Sequence, residues 1–226
     1  FYEMKKLIFM LILTTAVTAS FAKKSKNSFV EIKTNKGNIT VELYADVPQH
    51  AENFLKLAKE NFYDSVLFHR VIPQFMIQGG DPASKNALVG QMLGNGDIGY
   101  KIPAEFMLPT YYHKQGALAA ARDNNPEKAS SGCQFYIVVG KTFTDADLTS
   151  IETNNKVTFS EEARNTYKTI GGTPHLDGSY TVFGQVVEGQ EIVNEISTVA
   201  RDGSDRPKED IKIIGTKVLK KWKPKK

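Results

Sequence analysis

Residues 68–81 read FHRVIPQFMIQGGD, and this stretch decides the fold that we expect for the chain. Successive side chains of an extended strand point to opposite faces, so Arg70, Phe75 and Gln78 cannot share one face of an unbroken strand. Pro73 lacks the N–H group that a sheet ladder needs. The stretch therefore predicts two short strands with a kink between them, which bring a guanidinium, a carboxamide, a phenyl ring and a thioether close together.

Upstream of this stretch, the apolar pattern predicts a hairpin followed by a helix. Residues 30–33 and 39–43 each alternate apolar and polar side chains, and a turn sequence that contains a glycine lies between them at residues 35–37. After Pro48, apolar residues recur at i, i+3, i+4 and i+7, which places one apolar stripe on a helix that ends near Asn61. The stripe consists of Ala51, Phe54, Leu55 and Ala58.

The rest of the chain consists mostly of short apolar runs that glycine or proline interrupts. We interpret these runs as strands, at residues 66–78, 117–121, 134–139 and 181–187. A second helix is predicted over residues 190–196 and a last strand over residues 211–219. Many short strands with two helices predict a mainly β fold, in which the helices cap the open ends of a barrel.

Residues 142–173 interrupt this pattern. Residues 147–153 predict a short helix, and Ser160 with two following glutamates predicts the N-cap and acidic first turn of another. Gly171 and Gly172 then predict its end. We interpret residues 142–173 as an inserted helical pair, which either shapes a groove for client proteins, contacts a partner, or does neither.

The first 22 residues have the pattern of an export signal. Two lysines precede an apolar run over residues 7–17, and a small-residue site ends at Ala22, after which we predict cleavage. Met4 is the expected start, which leaves residues 1–3 unexplained. The run is shorter than the roughly 20 residues of a membrane-spanning helix, so we predict an exported, periplasmic protein without a stable membrane span. An uncleaved N-terminal tether to the membrane is the alternative.

Residues 23–226 are long enough for a single domain with one core. Their charge is uneven: residues 27–219 contain 19 basic and 24 acidic residues, a net charge of −5, although the whole chain carries +4. This balance argues against the basic face that nucleic-acid binding requires, so we predict no nucleic-acid partner. For the basic tail, residues 220–226, a solvated terminus is favoured over contact with an anionic membrane.

The side chains of residues 68–81 suit catalysis of rotation about an Xaa-Pro bond. The trans form is preferred by only about 0.5–1 kcal/mol, but rotation crosses about 18–20 kcal/mol because amide resonance is lost at the twisted midpoint. A catalyst needs an apolar seat, meaning a pocket that holds the proline ring. It also needs a hydrogen-bond donor to the prolyl nitrogen, which regains its lone pair as the amide twists. Arg70 is the candidate donor, and Gln78 is a candidate for orienting the neighbouring carbonyl. Phe75, Met76 and Leu176 could equally be ordinary core residues, and their assignment to such a seat, together with Tyr136, rests on the family resemblance described next.

Residues 68–81 strongly resemble the signature of the cyclophilins, the peptidyl-prolyl cis/trans isomerases built on a closed antiparallel β-barrel. The resemblance implies an eight-stranded barrel capped by two helices, here with the helical excursion inserted. It implies catalytic roles for Arg70 and Gln78 and proline-pocket roles for Phe75 and Met76. The implied function is a non-covalent, arginine-assisted isomerisation of proline-containing polypeptides that assists protein folding and needs no cofactor.

Further motifs match the family in the same order along the chain. Residues 116–121 (GALAAA) resemble the glycine-led strand whose following backbone pairs with the substrate, which implies substrate contacts for Ala121 and Arg122. Many eukaryotic members have Asn-Ala where this chain has Arg122 and an aspartate. Residues 131–136 (SGCQFY) resemble the Ser-Gln-Phe-Phe motif, which places Gln134 at the substrate-binding glutamine.

The last pocket positions combine matches and departures. Tyr136 replaces the second pocket phenylalanine, and residues 176–184 resemble the Leu-Asp-Gly and Val-Phe-Gly segment, which makes Leu176 the pocket leucine. Tyr180 stands at the pocket histidine of the family, and His175 stands at the tryptophan associated with tight cyclosporin binding. An imidazole is smaller and more polar than an indole, so we predict weak cyclosporin binding with isomerase activity retained.

Two rival functions would need different residues from isomerisation. A proline-binding module or holdase would keep the apolar seat and has no need of the Arg70 and Gln78 pair, so the intact pair favours an enzyme. A hydrolase would use Cys133 as a nucleophile, and thiol alkylation would then abolish its activity; we favour an inert thiol.

The four histidines are scattered without metal-ligand spacing, so we predict no metal site.

Overall fold

The computed structural model describes residues 26–223. The predicted signal at residues 1–22 and the last three residues of the basic tail lie outside the described residues. Within the described range, no helix is both long enough and apolar enough to cross a membrane.

The architecture is mainly β, as the sequence predicts. Eight strands form one antiparallel sheet in the order β10-β1-β2-β9-β6-β8-β4-β3, and β5 pairs with β7 in a separate small sheet that the sequence did not predict. The strands are β1 Ser28–Thr34, β2 Gly37–Leu43, β3 Phe68–Ile72, β4 Met76–Gly79, β5 Lys101–Ile102, β6 Ala117–Ala120, β7 Ser130–Ser131, β8 Phe135–Val138, β9 Val182–Glu188 and β10 Ile213–Leu219.

The sheet is curled, and its two edge strands are β3 and β10. No ladder joins these edges within residues 26–223, so the predicted closed barrel is not confirmed. The edges nevertheless touch where both strands begin, through an isolated bridge between Leu67 and Lys212. Three backbone N–H to carbonyl hydrogen bonds flank it: Ser65 to Ile213, Phe68 to Ile211 and Ile213 to Val66, each of 2.8 Å.

The predicted kink lies in the turn between β3 and β4. The chain turns over residues 73–75, where Gln74 adopts a φ of 60°, and then returns antiparallel to β3. Arg70 and Gln78 are consequently paired directly across the two strands. Pro73, which cannot donate to a ladder, lies outside both strands, so the break has the cause that the sequence indicates.

Two of the four helices in the described range pack on the sheet, as predicted. Helix α1, Pro48–Lys59, buries Phe54, Leu57 and Ala58, and Pro48 occupies its first turn. It ends slightly before the predicted Asn61, which has a positive φ. Helix α4, Gln190–Ser197, buries Val193 and Ile196 against the other end of the sheet. Together with the inner sheet residues, these side chains form the main core.

The other two helices occupy residues 142–173, which we call the two-helix segment. Helix α2, Asp145–Asn155, begins with a capping box made by Thr144 and Asp147, and helix α3, Glu161–Thr169, is capped by Ser160 as predicted. The segment has its own small core, separate from the main one. This second core contains Tyr112, Leu148, Phe159, Ala163 and Tyr167.

Candidate active site

A cavity of about 130 Å³ lies on the outer face of the sheet, beside the turn that joins β3 to β4. Nine of the eleven residues singled out from the sequence line it: Arg70, Phe75, Met76, Gln78, Ala121, Arg122, Tyr136, Leu176 and Tyr180. The other two, Gln134 and His175, contact lining residues. The fold thus brings all the predicted site residues together, from segments that are far apart along the chain.

The cavity, called the proline pocket below, has an apolar floor. Met76 and Tyr136 are almost fully buried beneath it, and Phe75 and Leu176 are partly buried at its sides. The imidazole of His175 stacks on the Phe75 ring, with centroids 5.6 Å apart and planes inclined by 26°. Burial lowers the pKa of His175, and the nearby His113 lowers it further, so the stacked ring is neutral at neutral pH.

Arg70 lies at the rim of the proline pocket with its side chain 42% exposed. Its Nε is 3.8 Å from a carboxylate oxygen of Asp205, whose other oxygen pairs with Arg201 at 3.1 Å. A contact of 3.8 Å is too long for a hydrogen bond, and a half-exposed ion pair is weak. Within the described part of the chain, the N–H donors of Arg70 therefore remain available to a ligand in the pocket.

Gln78 is held in place by a second glutamine. Its side-chain nitrogen donates to Oε1 of Gln134 at 3.1 Å. The nitrogen of Gln134 in turn donates to the carbonyls of Gly94 and Gly96, both at 2.9 Å. The carbonyl oxygen and the second amide hydrogen of Gln78 thus stay available beside Arg70, which suits orientation of a peptide group.

Arg122 closes the opposite side of the pocket. Its guanidinium lies 4.7 Å from the centroid of the Tyr180 ring, and its Nε donates to the Ser179 carbonyl at 2.8 Å. A cation over an aromatic face is a favourable contact, so the side chain is fixed as part of the wall. A larger, polar cavity of about 410 Å³ borders this wall and includes Lys101 and Asp123, which pair at 2.7 Å.

The family model for cyclophilin type peptidyl-prolyl cis-trans isomerases matches residues 29–218. The chain belongs to the cyclophilins. A putative peptidyl-prolyl cis-trans isomerase of Staphylococcus haemolyticus is 35% identical over 185 residues, which are 81% of this chain and 87% of that protein. A putative bifunctional phosphatase/peptidyl-prolyl cis-trans isomerase of Streptococcus pyogenes is 40% identical over 80% of this cyclophilin, which spans only 37% of that longer relative.

Solved structures resemble this cyclophilin over most of its length. A cyclophilin type isomerase of Cryptosporidium parvum superposes with a TM-score of 0.63 at 25% identity, covering 87% of this chain and 99% of that one. A second crystal structure of that protein, obtained in the presence of the dipeptide Ala-Pro, gives a TM-score of 0.61 at 25% identity, with 85% and 99% coverage. This agreement supports the curled-sheet fold found here.

Cys133 is not arranged as a nucleophile. Its side chain is buried beside Ser131, and burial raises the pKa of the thiol to about 11. A thiol with such a pKa is almost entirely protonated at neutral pH and therefore unreactive. The structure thus gives no support to the hydrolase alternative.

Sequence reasoning missed the residues that support the pocket from behind. The buried hydroxyl of Tyr136 hydrogen-bonds His113 at 2.9 Å, and His113 hydrogen-bonds the buried carboxylate of Asp177 at 2.6 Å. Burial also holds the pKa of Tyr136 well above its usual range, so this hydroxyl stays protonated. Asp177 belongs to the Leu-Asp-Gly motif, but only its leucine was assigned a role. Asp205, the neighbour of Arg70, carries no motif that could have identified it.

Proposed function

We propose that this isomerase accelerates rotation about Xaa-Pro bonds by holding the proline ring in the pocket while Arg70 donates to the prolyl nitrogen. The observation that carries the proposal is the half-exposed, weakly paired guanidinium of Arg70 at the rim of the proline pocket, directly across the strands from Gln78. The nitrogen becomes a hydrogen-bond acceptor only when the amide twists and resonance is lost. A donor at this position therefore stabilises the transition state more than either planar form.

A guanidinium can supply part of the required lowering of the rotational barrier. A hydrogen bond from a charged donor contributes about 1.5–3 kcal/mol, which is part of the roughly 18–20 kcal/mol barrier. Gln78 contributes by fixing the flanking peptide, and Phe75, Met76, Tyr136 and Leu176 contribute by excluding water from the ring. None of these roles requires a nucleophile, a metal or a redox group, so the mechanism is non-covalent.

The proposed substrates are proline-containing polypeptides with exposed Xaa-Pro segments, and the proposed role is assistance to protein folding. The pocket is open to solvent and combines an apolar floor with polar side chains at its edge, and the similar Cryptosporidium parvum enzyme was crystallised in the presence of Ala-Pro. An open pocket on the outer face of the sheet admits a chain that extends beyond the proline on both sides. A holdase without turnover would have no use for the free donors of Arg70.

The decisive experiment compares Arg70→Ala with Arg201→Ala in an Xaa-Pro isomerisation assay. Both arginines pair with Asp205, but only Arg70 lines the pocket, so the two variants differ chiefly in the donor. We expect Arg70→Ala to lower kcat/KM by about 10- to 100-fold, the equivalent of one charge-assisted hydrogen bond, and Arg201→Ala to change it little. Equal rates in Arg70→Ala and the wild type would rule out this role.

We also propose export to the periplasm, with removal of residues 1–22. The support is the sequence pattern of a charged start, an apolar run and a small-residue site. Mass spectrometry of the protein recovered from its cells tests this proposal. A mature chain that begins at Lys23 is expected, and a chain that retains the apolar run would contradict cleavage and favour the membrane-tethered alternative.

A further inference from the structure

Three consecutive residues, His175 to Asp177, form one wall of the proline pocket, and we call them the wall segment. His175 stacks on Phe75, and Leu176 lines the pocket directly. Asp177 follows immediately, and its side chain is fully buried behind the pocket. A shift of the wall segment therefore changes the shape of the pocket itself.

Helix α3 contacts the wall segment through a buried tyrosine. The hydroxyl of Tyr167 donates to Oδ2 of Asp177 at 2.6 Å, and both side chains are inaccessible to solvent. The other oxygen, Oδ1, accepts from the backbone N–H of His113 at 2.9 Å and lies 2.6 Å from its ring nitrogen Nδ1. A buried carboxylate is tolerated only when its oxygens have such donors, so loss of the Tyr167 hydroxyl leaves Oδ2 without compensation.

The same hydrogen bonds continue to the pocket floor. Because the Asp177 carboxylate can only accept, Nδ1 of His113 donates to it, and Nε2 of the same ring lies within hydrogen-bond distance of the Tyr136 hydroxyl, at 2.9 Å. The His113 and Tyr136 rings also stack, with planes inclined by 11°. A continuous buried chain of hydrogen bonds thus runs from Tyr167 in helix α3 through Asp177 and His113 to Tyr136.

Helix α2 contacts the wall segment independently. The amide of Asn155, at the end of α2, donates to the His175 carbonyl at 2.8 Å. The two helices are tied to each other by Arg164, whose guanidinium donates to Glu152 at 2.6 Å and to the Asp145 carbonyl at 3.1 Å. Both ends of the wall segment are therefore hydrogen-bonded to the two-helix segment.

We propose that Tyr167 and Asn155 are positioning residues for the proline pocket, through which the two-helix segment fixes the wall segment and the Tyr136 floor. The proposal deepens, and rests on, the isomerase function proposed above. It gives residues 142–173 a role in shaping the catalytic site. Neither Tyr167 nor Asn155 lines the pocket, so each acts through the residues that it holds.

The test uses full-length Tyr167→Phe and Asn155→Ala with two matched controls. Tyr112→Phe removes another tyrosine hydroxyl from the same small core, where it donates to Thr166, and Asn154→Ala removes the exposed neighbouring amide in α2. We expect kcat/KM to fall about tenfold in Tyr167→Phe and about threefold in Asn155→Ala, and to stay within twofold of the wild type in both controls.

Two further readouts separate positioning from a general loss of stability. The methyl NMR signals of Leu176 and the Kd for the dipeptide Ala-Pro should change in Tyr167→Phe and Asn155→Ala but not in the controls. A double-mutant cycle with Tyr136→Phe adds a third readout. Tyr167→Phe should lower kcat/KM less in the Tyr136→Phe background than in the wild type, because both substitutions break the same chain of hydrogen bonds.

Unchanged Leu176 signals and peptide affinity in both test variants would overturn the proposal, as would equal losses in the controls. If Tyr167→Phe fails to fold, Asn155→Ala decides the outcome, because its side chain is exposed and its removal leaves the core intact. A wild type without isomerase activity would refute the proposed function, whereas the Leu176 signals would still report whether the wall segment depends on the two helices.

Discussion

Individual side chains decide what the proline pocket accepts. His175 places a neutral imidazole on Phe75, where the family tryptophan would offer a larger apolar face and an indole N–H donor. Arg122, at the position where many members have asparagine, lies against the Tyr180 ring and lines the opposite side. These substitutions leave Arg70 and Gln78 in place. We therefore expect them to alter ligand preference rather than the proposed chemistry of rotation.

The first prediction concerns cyclosporin. We expect weak inhibition of the wild type and inhibition of His175→Trp at concentrations about tenfold lower or more, because the indole restores apolar contact area and an N–H donor. His175→Phe is the control, since it supplies an apolar ring without the donor, and it should lie between the two. Inhibition curves in the isomerisation assay measure this. Tight inhibition of the wild type would show that His175 does not limit binding.

Among the secondary-structure elements, helix α3 carries a side-chain cap at its N-terminus. It has only nine residues, which is too short for independent stability, and it buries Ala163 and Tyr167 in the small core. The Ser160 hydroxyl accepts from the Ala163 N–H at 3.1 Å, and Glu161 and Glu162 lie in the first turn. The serine thus gives a hydrogen-bond acceptor to one of the free N–H groups of the first turn. The two glutamates interact favourably with the positive end of the helix dipole.

The second prediction follows from this cap. Ser160→Ala should lower the free energy of unfolding by about 1 kcal/mol, the usual cost of losing an N-cap side chain. Ser150→Ala is the matched control, because Ser150 lies inside α2 and bonds only the Ala146 carbonyl of its own helix. Alanine is a better helix former than serine, so the control should be neutral or slightly more stable. Urea unfolding measures both, and equal losses would show that the cap is not responsible.

For the whole molecule, buried histidines make stability depend on pH. Burial lowers the pKa of His69 to about 4, and the nearby Arg70 and Arg206 lower it further, against the opposing effect of Asp81. Burial also lowers the pKa of His50, despite its partner Glu105. The folded protein therefore holds these rings neutral in a range where the unfolded chain takes up protons near pH 6.5.

The third prediction concerns how the free energy of unfolding changes with pH. Below about pH 6.5 the unfolded state binds more protons, so stability should fall as the pH drops towards 4, with His69 contributing up to about 3 kcal/mol. In His69→Gln, which cannot be protonated, the free energy of unfolding should depend less steeply on pH over this range. Urea unfolding at several pH values measures the slopes. An unchanged slope in His69→Gln would exclude the contribution of this ring.

The sequence by itself determined the local features of this cyclophilin: the break at Pro73, the cap at Ser160, the hairpin, and the residue types of the pocket. Such features depend on the backbone preferences and side-chain periodicity of neighbouring residues, which the sequence displays directly. Recognition of the pocket residues also depended on motifs that lie in contiguous stretches, and all eleven come together in the fold.

Only the tertiary structure decided how far the sheet closes, that Asp205 lies beside Arg70, and that Tyr167 reaches Asp177 behind the pocket wall. Arg70 and Asp205 are distant in the sequence, and Tyr167 and Asp177 lie ten residues apart in different elements. Each partner taken alone is an ordinary charged or aromatic residue without a distinguishing pattern. Their geometry depends on the packing of the curled sheet and the two-helix segment against each other, which no local preference specifies.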